Sequence, residues 1–383
     1  MEVYLDNAAT SWPKPEKVYQ AVYNFMRDVG VNSGRGAYRR ALEADRIVFD
    51  VRMNLARLFN IDDAGRIVFT ANVTESLNLA IKGLLNSGDH VITTSMEHNA
   101  VWRCLKVMES RDRIGITAVP CSPEGRLDAE KMIGAIRSDT KMIVMTHASN
   151  VTGTLMPVEM IGAEARRRKI CFLVDAAQTA GAYPIDVQSM NIDLLAFTGH
   201  KGLLGPQGTG GLYIREGFSP RPLKEGGTGG HSILERMPDD LPDRYEPGTP
   251  NVAGIAGLGE SVKFILAEGV KKIRRHEMDL TGYAIGKLKG IPGITLYGPQ
   301  DPEHTVGVLS FNLGGHKPED MAYTLDKEYG IMVRAGLHCA PCAHRTIGTI
   351  DRGTLRVGLG YFNNAGEIDY LAGALEELAG KYK

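Results

Sequence analysis

The chain reads as an α/β protein: a mainly parallel sheet covered by helices on both faces, followed by a smaller α/β C-terminal domain. Two observations predict this. Short apolar runs (Ile67-Val68-Phe69, Val91-Ile92, Met142-Ile143-Val144-Met145, Phe172-Leu173-Val174 and Leu194-Leu195-Ala196-Phe197) alternate with amphipathic helical patterns, as strands buried on both faces require. Polar residues able to do chemistry, namely Thr74, His98, Asn150, Asp175 and Lys201, follow those runs directly. Ligands of such sheets sit there, beyond the carboxyl ends of the strands.

After a turn-rich opening, the spacing of Val18, Val22, Phe25 and Met26 predicts a helix that Gly30 ends, and a second helix is expected near 42–58. The sheet pattern then runs to Phe197. The stretch 226–250, rich in Gly, Pro and Asp, predicts a long irregular excursion of the functional kind. A helical tract over about 254–288 leads into strands near 306–311, 331–334 and 355–359, and a terminal helix starts near Ile368. This organisation assigns residues 15–260 to a large domain and 1–14 with 261–383 to a small one.

A chain of 383 residues buries roughly 75% of its extended surface on folding, so it needs no covalent staples. Its formal charge of −1, from 44 basic and 45 acidic residues interspersed, offers no footprint for nucleic acid or anionic lipid. Small molecules or other proteins are the expected partners. Five unevenly spaced cysteines do not make a disulfide framework and fit a reducing compartment. With no basic leader before an apolar core, and no run near the roughly 20 apolar residues that span a bilayer, a soluble cytoplasmic protein is expected.

The chemistry centres on Lys201, in Phe197-Thr198-Gly199-His200-Lys201-Gly202, and on Asp175, which closes the apolar run before it. An amine and a buried-strand carboxylate in this order suggest a pyridoxal phosphate site. The lysine would hold the cofactor aldehyde as a Schiff base, and the aspartate would keep the pyridine nitrogen protonated. Asn72-Val73-Thr74-Glu75 opens a helix after a strand and serves equally as a capping arrangement or a phosphate site; beside Lys201 the phosphate reading is favoured. His98 could stack on a planar cofactor or simply start a helix. Asn150 and Gln178 could cap turns or donate to the cofactor's phenolate oxygen.

The loop Arg334-Ala335-Gly336-Leu337-His338-Cys339-Ala340-Pro341-Cys342-Ala343-His344 concentrates thiols and imidazoles. Three readings compete: a metal site on His338, Cys339, Cys342 and His344, a dithiol pair, or a nucleophile. Cys339 as nucleophile ranks first, on an apparently flexible loop near His338 and Arg334 as cations that favour thiolate; the dithiol pair ranks second and the metal third. Arg356, a charge inside an apolar strand, needs a partner: either an internal salt bridge or a substrate carboxylate that its planar fork would clamp.

Together these residues resemble the class V aminotransferase fold family, in the cysteine desulfurase and selenocysteine lyase branch whose nucleophile lies in an Arg-x-Gly-x-His-Cys loop. The likeness spans nearly the whole chain. It covers Tyr4-Leu5-Asp6-Asn7-Ala8-Ala9, Glu97-His98, His147-Ala148-Ser149-Asn150-Val151-Thr152-Gly153, Val174-Asp175-Ala176-Ala177-Gln178, Thr198-Gly199-His200-Lys201, Gly248-Thr249-Pro250-Asn251 and the cysteine loop. The resemblance implies a fold type I architecture with a seven-stranded sheet, and pyridoxal 5'-phosphate as cofactor. It implies Lys201 as the Schiff-base lysine, Asp175 on the pyridinium, Gln178 on the phenolate oxygen and His98 on the ring. Val73, Thr74, Thr198 and His200 would line the phosphate side, with Thr249 reaching it across a homodimer interface. Ala8, Asn150 and Arg356 would hold the substrate, and Cys339 would accept sulfur from L-cysteine as a persulfide, leaving L-alanine, before passing it to an acceptor protein. Selenocysteine lyase, a transaminase or β-lyase without a protein thiol, and a non-catalytic sulfur carrier remain alternatives. Two positions depart from the pattern: Leu337, where a second histidine often stands, and Cys342, read as a bystander to the nucleophile rather than a relay.

Overall fold

The computed structural model describes residues 2–34, 36–230 and 232–381. In chain order the strands are β1 (Val3–Tyr4), β2 (Ile67–Thr70), β3 (His90–Thr94), β4 (Gly115–Val119), β5 (Thr140–Thr146), β6 (Cys171–Asp175), β7 (Leu194–Thr198), β8 (Gly210–Ile214), β9 (Ile294–Tyr297), β10 (Val308–Leu313), β11 (Ile331–Met332), β12 (Arg334–Gly336) and β13 (Thr354–Gly358). Seven of them form one sheet in the order β2-β8-β7-β6-β5-β3-β4. From β7 through β4 all neighbours are parallel, and β8 runs antiparallel to both β7 and β2.

Alternation along the central strands explains their continuous apolar character. Ile143, Met145, Phe172, Val174, Leu195 and Phe197 point to one face, where they pack with Leu55 and Phe59 of the helix Arg39–Phe59 and with Leu258 and Val262 of Val252–Glu268. Met142, Val144, Leu173, Leu194 and Ala196 point to the other, against Leu77 and Ile81 of Val73–Leu84 and Val101 and Leu105 of Asn99–Asp112. Each such large side chain stabilises the fold by about 1.5–3 kcal/mol.

The expected strands are present, the one near 331–334 as the two strands β11 and β12, and the structure adds β1, β4, β8 and β9. β4 is a half-buried edge and β8 opens on Gly210-Gly211, so neither shows the uninterrupted apolar run of a central strand. The expected single tract over 254–288 is two helices, Val252–Glu268 and Val270–Lys289, broken where Gly269 takes a positive φ of 84°. The first helix, Glu16–Asn24, continues through a wider turn to Val29 and ends at Gly30 (φ 58°). Met26, which the spacing placed on its buried face, is 68% exposed.

A second core gathers Val3 and Leu5 with Leu309, Phe311, Leu355, Val357 and the terminal helix Ala365–Lys381. It backs an antiparallel sheet in the order β12-β13-β10-β9, while β1 pairs with β11. An isolated bridge from Asp6 to Gly358 ties the amino-terminal segment to β13. Among the described residues no helix is long and apolar enough to cross a membrane.

Candidate active site

The strand directions bring the carboxyl ends of β2, β3, β5, β6 and β7 to one edge of the sheet, and Thr74, His98, Asn150, Asp175 and Lys201 all follow those ends. Asp175 is the last residue of β6 and 3% exposed; its Oδ1 accepts the Ala177 N–H at 2.9 Å. Burial raises its carboxyl, opposed by that N–H and by Lys201. Lys201 follows β7 through the turn Gly199-His200. Gly199 is obligatory there, since a Cβ would stand 2.0 Å from Thr209 Oγ1. The lysine is part-exposed as a residue, yet its amine end is desolvated. Burial pulls the ammonium down to about 8, against the pull of Asp175 and helped by Arg356 and Arg334.

The helix Val73–Leu84 starts with a reciprocal cap: Asn72 Oδ1 accepts the Glu75 N–H at 3.1 Å and Glu75 Oε2 accepts the Ala71 N–H at 2.7 Å. The capping arrangement is therefore real. It leaves the N–H groups of Val73 and Thr74, first in the helix, without an intrahelical acceptor, so the cap does not exclude an anion there. His98 is likewise a helix-start residue, its Nδ1 accepting the Ala100 N–H at 3.0 Å. That bond places the ring proton on Nε2, and burial, then Lys201 and three arginines, lower its pKa to about 4. His98 is thus a neutral ring with one donor to offer.

His200 also stays neutral, lowered to about 4 by burial, and its buried Nδ1 has no partner. Its carbonyl accepts from Ser11 N at 2.8 Å and Thr10 Oγ1 at 3.1 Å, which ties the amino-terminal segment to the lysine turn. Gln178 Nε2 donates to Ala8 O at 3.1 Å. Thr198 is buried, its hydroxyl donating to Thr209 O at 3.4 Å. Thr249 is not brought to this cluster: it is exposed, in the wall of a separate recess of about 720 Å³ with Glu75 and Gly208.

The smaller sheet supplies the other side. Arg356, in the middle of β13 and 2% exposed, donates from Nη2 to Asp6 Oδ1 at 2.8 Å and from Nη1 to Asn150 O at 3.1 Å; its Nε has no partner. The internal salt bridge therefore exists and leaves donor capacity unused. Asn150 Nδ2 in turn donates to His338 O at 2.7 Å, and Cys339 O accepts the Asn99 N–H at 2.8 Å. These bonds, with the left-handed turn at His338 (φ 49°) and Cys339 (φ 57°), make the segment after β12 a short turn packed on His98's helix rather than a long flexible loop. Cys339 lies exposed at its tip.

His338 corrects one expectation. It is buried, with Nε2 on Thr354 O and Oγ1 at 3.1 Å, and burial followed by Arg356 and His344 pushes its pKa to about 2. It is no cation beside Cys339; the cation that interacts with that thiol is Arg356. Cys342 is buried on the helix Pro341–Thr346, its thiol raised by burial and lying 3.9 Å from Arg345 Nη1. All five cysteines are free.

Two contributors lie in segments the resemblance covers but were given no role by the sequence. Asp6, the partner of Arg356, is a lone acid in a turn-rich opening. Glu97 is fully buried, accepts from Thr94 Oγ1 at 2.6 Å and from Thr146 N at 3.1 Å, and burial raises it to about 8. It pins the turn before His98 to the end of β5, and its place beside His98 in the matching segment Glu97-His98 was the signal.

The family model for aminotransferase class-V matches residues 3–371. The chain is 36% identical over 390 residues, 99% of its length and 95% of the relative's, to a probable cysteine desulfurase of Methanothermobacter thermautotrophicus. It is 33% identical over 386 residues, 98% of its length and 93% of the relative's, to a cysteine desulfurase of Escherichia coli. The apo structure of a cysteine desulfurase from Thermococcus onnurineus superposes with a TM-score of 0.94 at 33% identity, covering 99% of this chain and 95% of that one. With the lysine, aspartate and histidine on one sheet edge, these likenesses establish that the chain belongs to the class-V aminotransferase family, in its cysteine desulfurase branch.

Proposed function

We propose that the chain is a pyridoxal 5'-phosphate-dependent cysteine desulfurase, a sulfurtransferase that converts L-cysteine to L-alanine and leaves the sulfur on Cys339 as a persulfide. The observation that carries this reading is the convergence of Lys201, Asp175 and His98 from one sheet edge with Cys339 and Arg356 from the smaller sheet. The residues fit the cofactor. The N–H groups of Val73 and Thr74, without an intrahelical acceptor, and the orphaned His200 Nδ1 suit a phosphate monoester, and buried Asp175 suits a protonated pyridine nitrogen. Thr198 and Gln178 flank the same edge. Bound there, the group would supply an aldehyde for amine capture and a ring able to store the electrons freed when the substrate loses its α-proton.

Lys201, whose burial keeps much of the amine neutral near pH 8, takes that proton. His98 covers the site with an uncharged ring and one Nε2–H. Arg356 has the spare donor for the substrate carboxylate, with Asn150 beside it and Ala8 held by Gln178. Cys339 as thiolate attacks the substrate sulfur: the carbon–sulfur bond breaks, a sulfur–sulfur bond forms, and the carbon takes a proton to give L-alanine. The test is to supply L-cysteine to the loaded enzyme and analyse peptide masses. Alanine release with an extra sulfur atom on Cys339 is expected; alanine without it, or none, overturns the reading.

The same reading takes residues 15–260 as the cofactor-holding domain and 1–14 with 261–383 as the domain that carries Arg356 and Cys339. It also takes the enzyme as a homodimer. Thr249 is exposed and lines a recess that does not include its own Lys201, and Tyr23, Met26, Tyr38, Leu42 and Phe49 leave large apolar surface uncovered on the first two helices. Light scattering should return twice the chain mass; a monomer active at the same specific rate would rule the dimer out. Free thiols throughout support a reducing, cytoplasmic location.

A further inference from the structure

We infer that a recess between the start of the helix Val158–Arg168 and the segment Glu303-His304 binds a small aromatic carboxylate. None of the residues assigned to the active site lines it, and the site does not depend on the desulfurase reading. The recess is open, measures about 1180 Å³, and has an apolar floor of Met156 and Met190, both buried in the core of the large sheet. An apolar hollow with a few convergent polar groups is the usual form of a small-molecule site.

Two separate features supply the polar groups, and both are donors. The first is His147, which follows β5 and is 3% exposed. Among the described residues neither of its ring nitrogens has a hydrogen-bond partner. Nδ1 is buried in protein, so Nε2 is the nitrogen that the recess reaches. Burial lowers its pKa to about 4, so the ring is neutral and carries one proton. A bare nitrogen is cheaper to enclose than an unmet N–H, which places that proton on Nε2. Tyr183, edge-on with ring centroids 5.2 Å apart, fixes the plane of the imidazole.

The second feature is the helix start itself. Its N-cap position is held by Pro157, which has no side-chain acceptor to offer, so the N–H groups of Glu159 and Met160 are left without an intrahelical partner. All three residues line the recess. Two backbone donors at the positive end of an 11-residue helix, with an imidazole N–H beside them, call for an anion.

The rim decides which anion. Arg126 and His304 share Asp301, at 3.6 Å and 2.6 Å, while Glu159 and Glu303 are exposed there with no ion pair among the described residues. These carboxylates leave no excess positive charge to hold a phosphate dianion, so a singly charged carboxylate fits. The floor decides the body. Thioether sulfurs make favourable contacts with aromatic rings, and Met156, Met160 and Met190 line the same hollow.

The experiment titrates the full-length holoenzyme with 3-phenylpropionate, 3-phenylpropan-1-ol and 3-phenylpropylamine, read by saturation-transfer NMR. The carboxylate is expected to bind with a Kd on the order of 1 mM, and the alcohol and amine at least about 10-fold more weakly. Two variants locate the site. Pro157→Asp brings a carboxylate of its own to the helix start, where it takes the two N–H groups and caps the helix. His147→Phe keeps a ring against Tyr183 and removes the donor. Each should weaken 3-phenylpropionate at least about 10-fold while alanine release stays within about twofold of the parent. Arg356→Ala, which removes the cation proposed for the substrate carboxylate, should leave the affinity unchanged. Should His147→Phe fail to fold, Pro157→Asp decides. Equal binding of the alcohol, undiminished binding to Pro157→Asp, loss of binding in Arg356→Ala, or no binding up to about 10 mM overturns the inference. A parent enzyme that releases no alanine yet binds the carboxylate in this pattern counts against the desulfurase reading alone.

Discussion

Replacing Lys201 by alanine is expected to lower L-alanine release from L-cysteine by about 10⁴-fold, the upper end of what one positioned proton-transfer group contributes. Lys14, a second amine that burial lowers to about 8, is held by its Nζ on Ser11 O at 2.9 Å and Ser11 Oγ at 3.0 Å, and Arg356 and Arg334, which lower the Lys201 pKa, carry guanidinium groups that cannot act as bases at neutral pH. Initial rates with saturating cofactor and substrate measure the effect, and a loss of less than tenfold would remove Lys201 from the mechanism. The pH profile of the parent enzyme is a second reading of the same group. The reactive form is the neutral amine, and burial has moved its pKa from 10.5 to about 8, so the rate should climb tenfold per unit below about 8 and level off above it. An ordinary lysine would put the rise above pH 10. Glu97 also titrates near 8, but as a buried prop behind His98; a Glu97→Gln variant keeps its shape and uncharged form and should leave the rise in place.

Replacing Cys339 by alanine is expected to abolish persulfide formation and lower L-cysteine turnover by about 10³-fold, with substrate binding unchanged within about twofold. The two effects separate because the turn does not depend on the thiol. It is held by the Asn99 N–H on the Cys339 carbonyl and by Asn150 on the His338 carbonyl. Alanine also meets no new strain at φ 57° beyond what cysteine already bears. Rates, a binding titration and peptide masses check this. Undiminished L-cysteine turnover would favour a lyase or transaminase that needs no protein thiol, and loss of cysteine activity alone with L-selenocysteine cleavage intact would favour selenocysteine lyase.

The two residues also differ in how they could be read from the chain. Lys201 and Asp175 stood out because both follow apolar runs, and Thr74, His98 and Asn150 share that position. Cys339 stood out through its loop composition, yet the source of its electrostatic surroundings was misplaced. Proximity in sequence made His338 look like the activating cation, whereas its ring turns inward to Thr354 and burial keeps it neutral. Likewise Met26 kept helical spacing but faces outward, because its helix presents a narrower buried stripe than the spacing implied.

What the sequence determined by itself is the central sheet, its two covering layers and the chemistry placed along one edge. Periodicity and turn residues report local burial directly, and strands buried on both faces cannot be written any other way. Only the tertiary structure decided that Arg356 meets Asp6 from 350 positions away, that β8 and β2 close the sheet in opposite senses, and that Cys339 sits in a tight turn. Such pairings depend on how the two sheets dock, and the proton affinities of Lys201, Glu97 and His338 depend on the water that this docking removes.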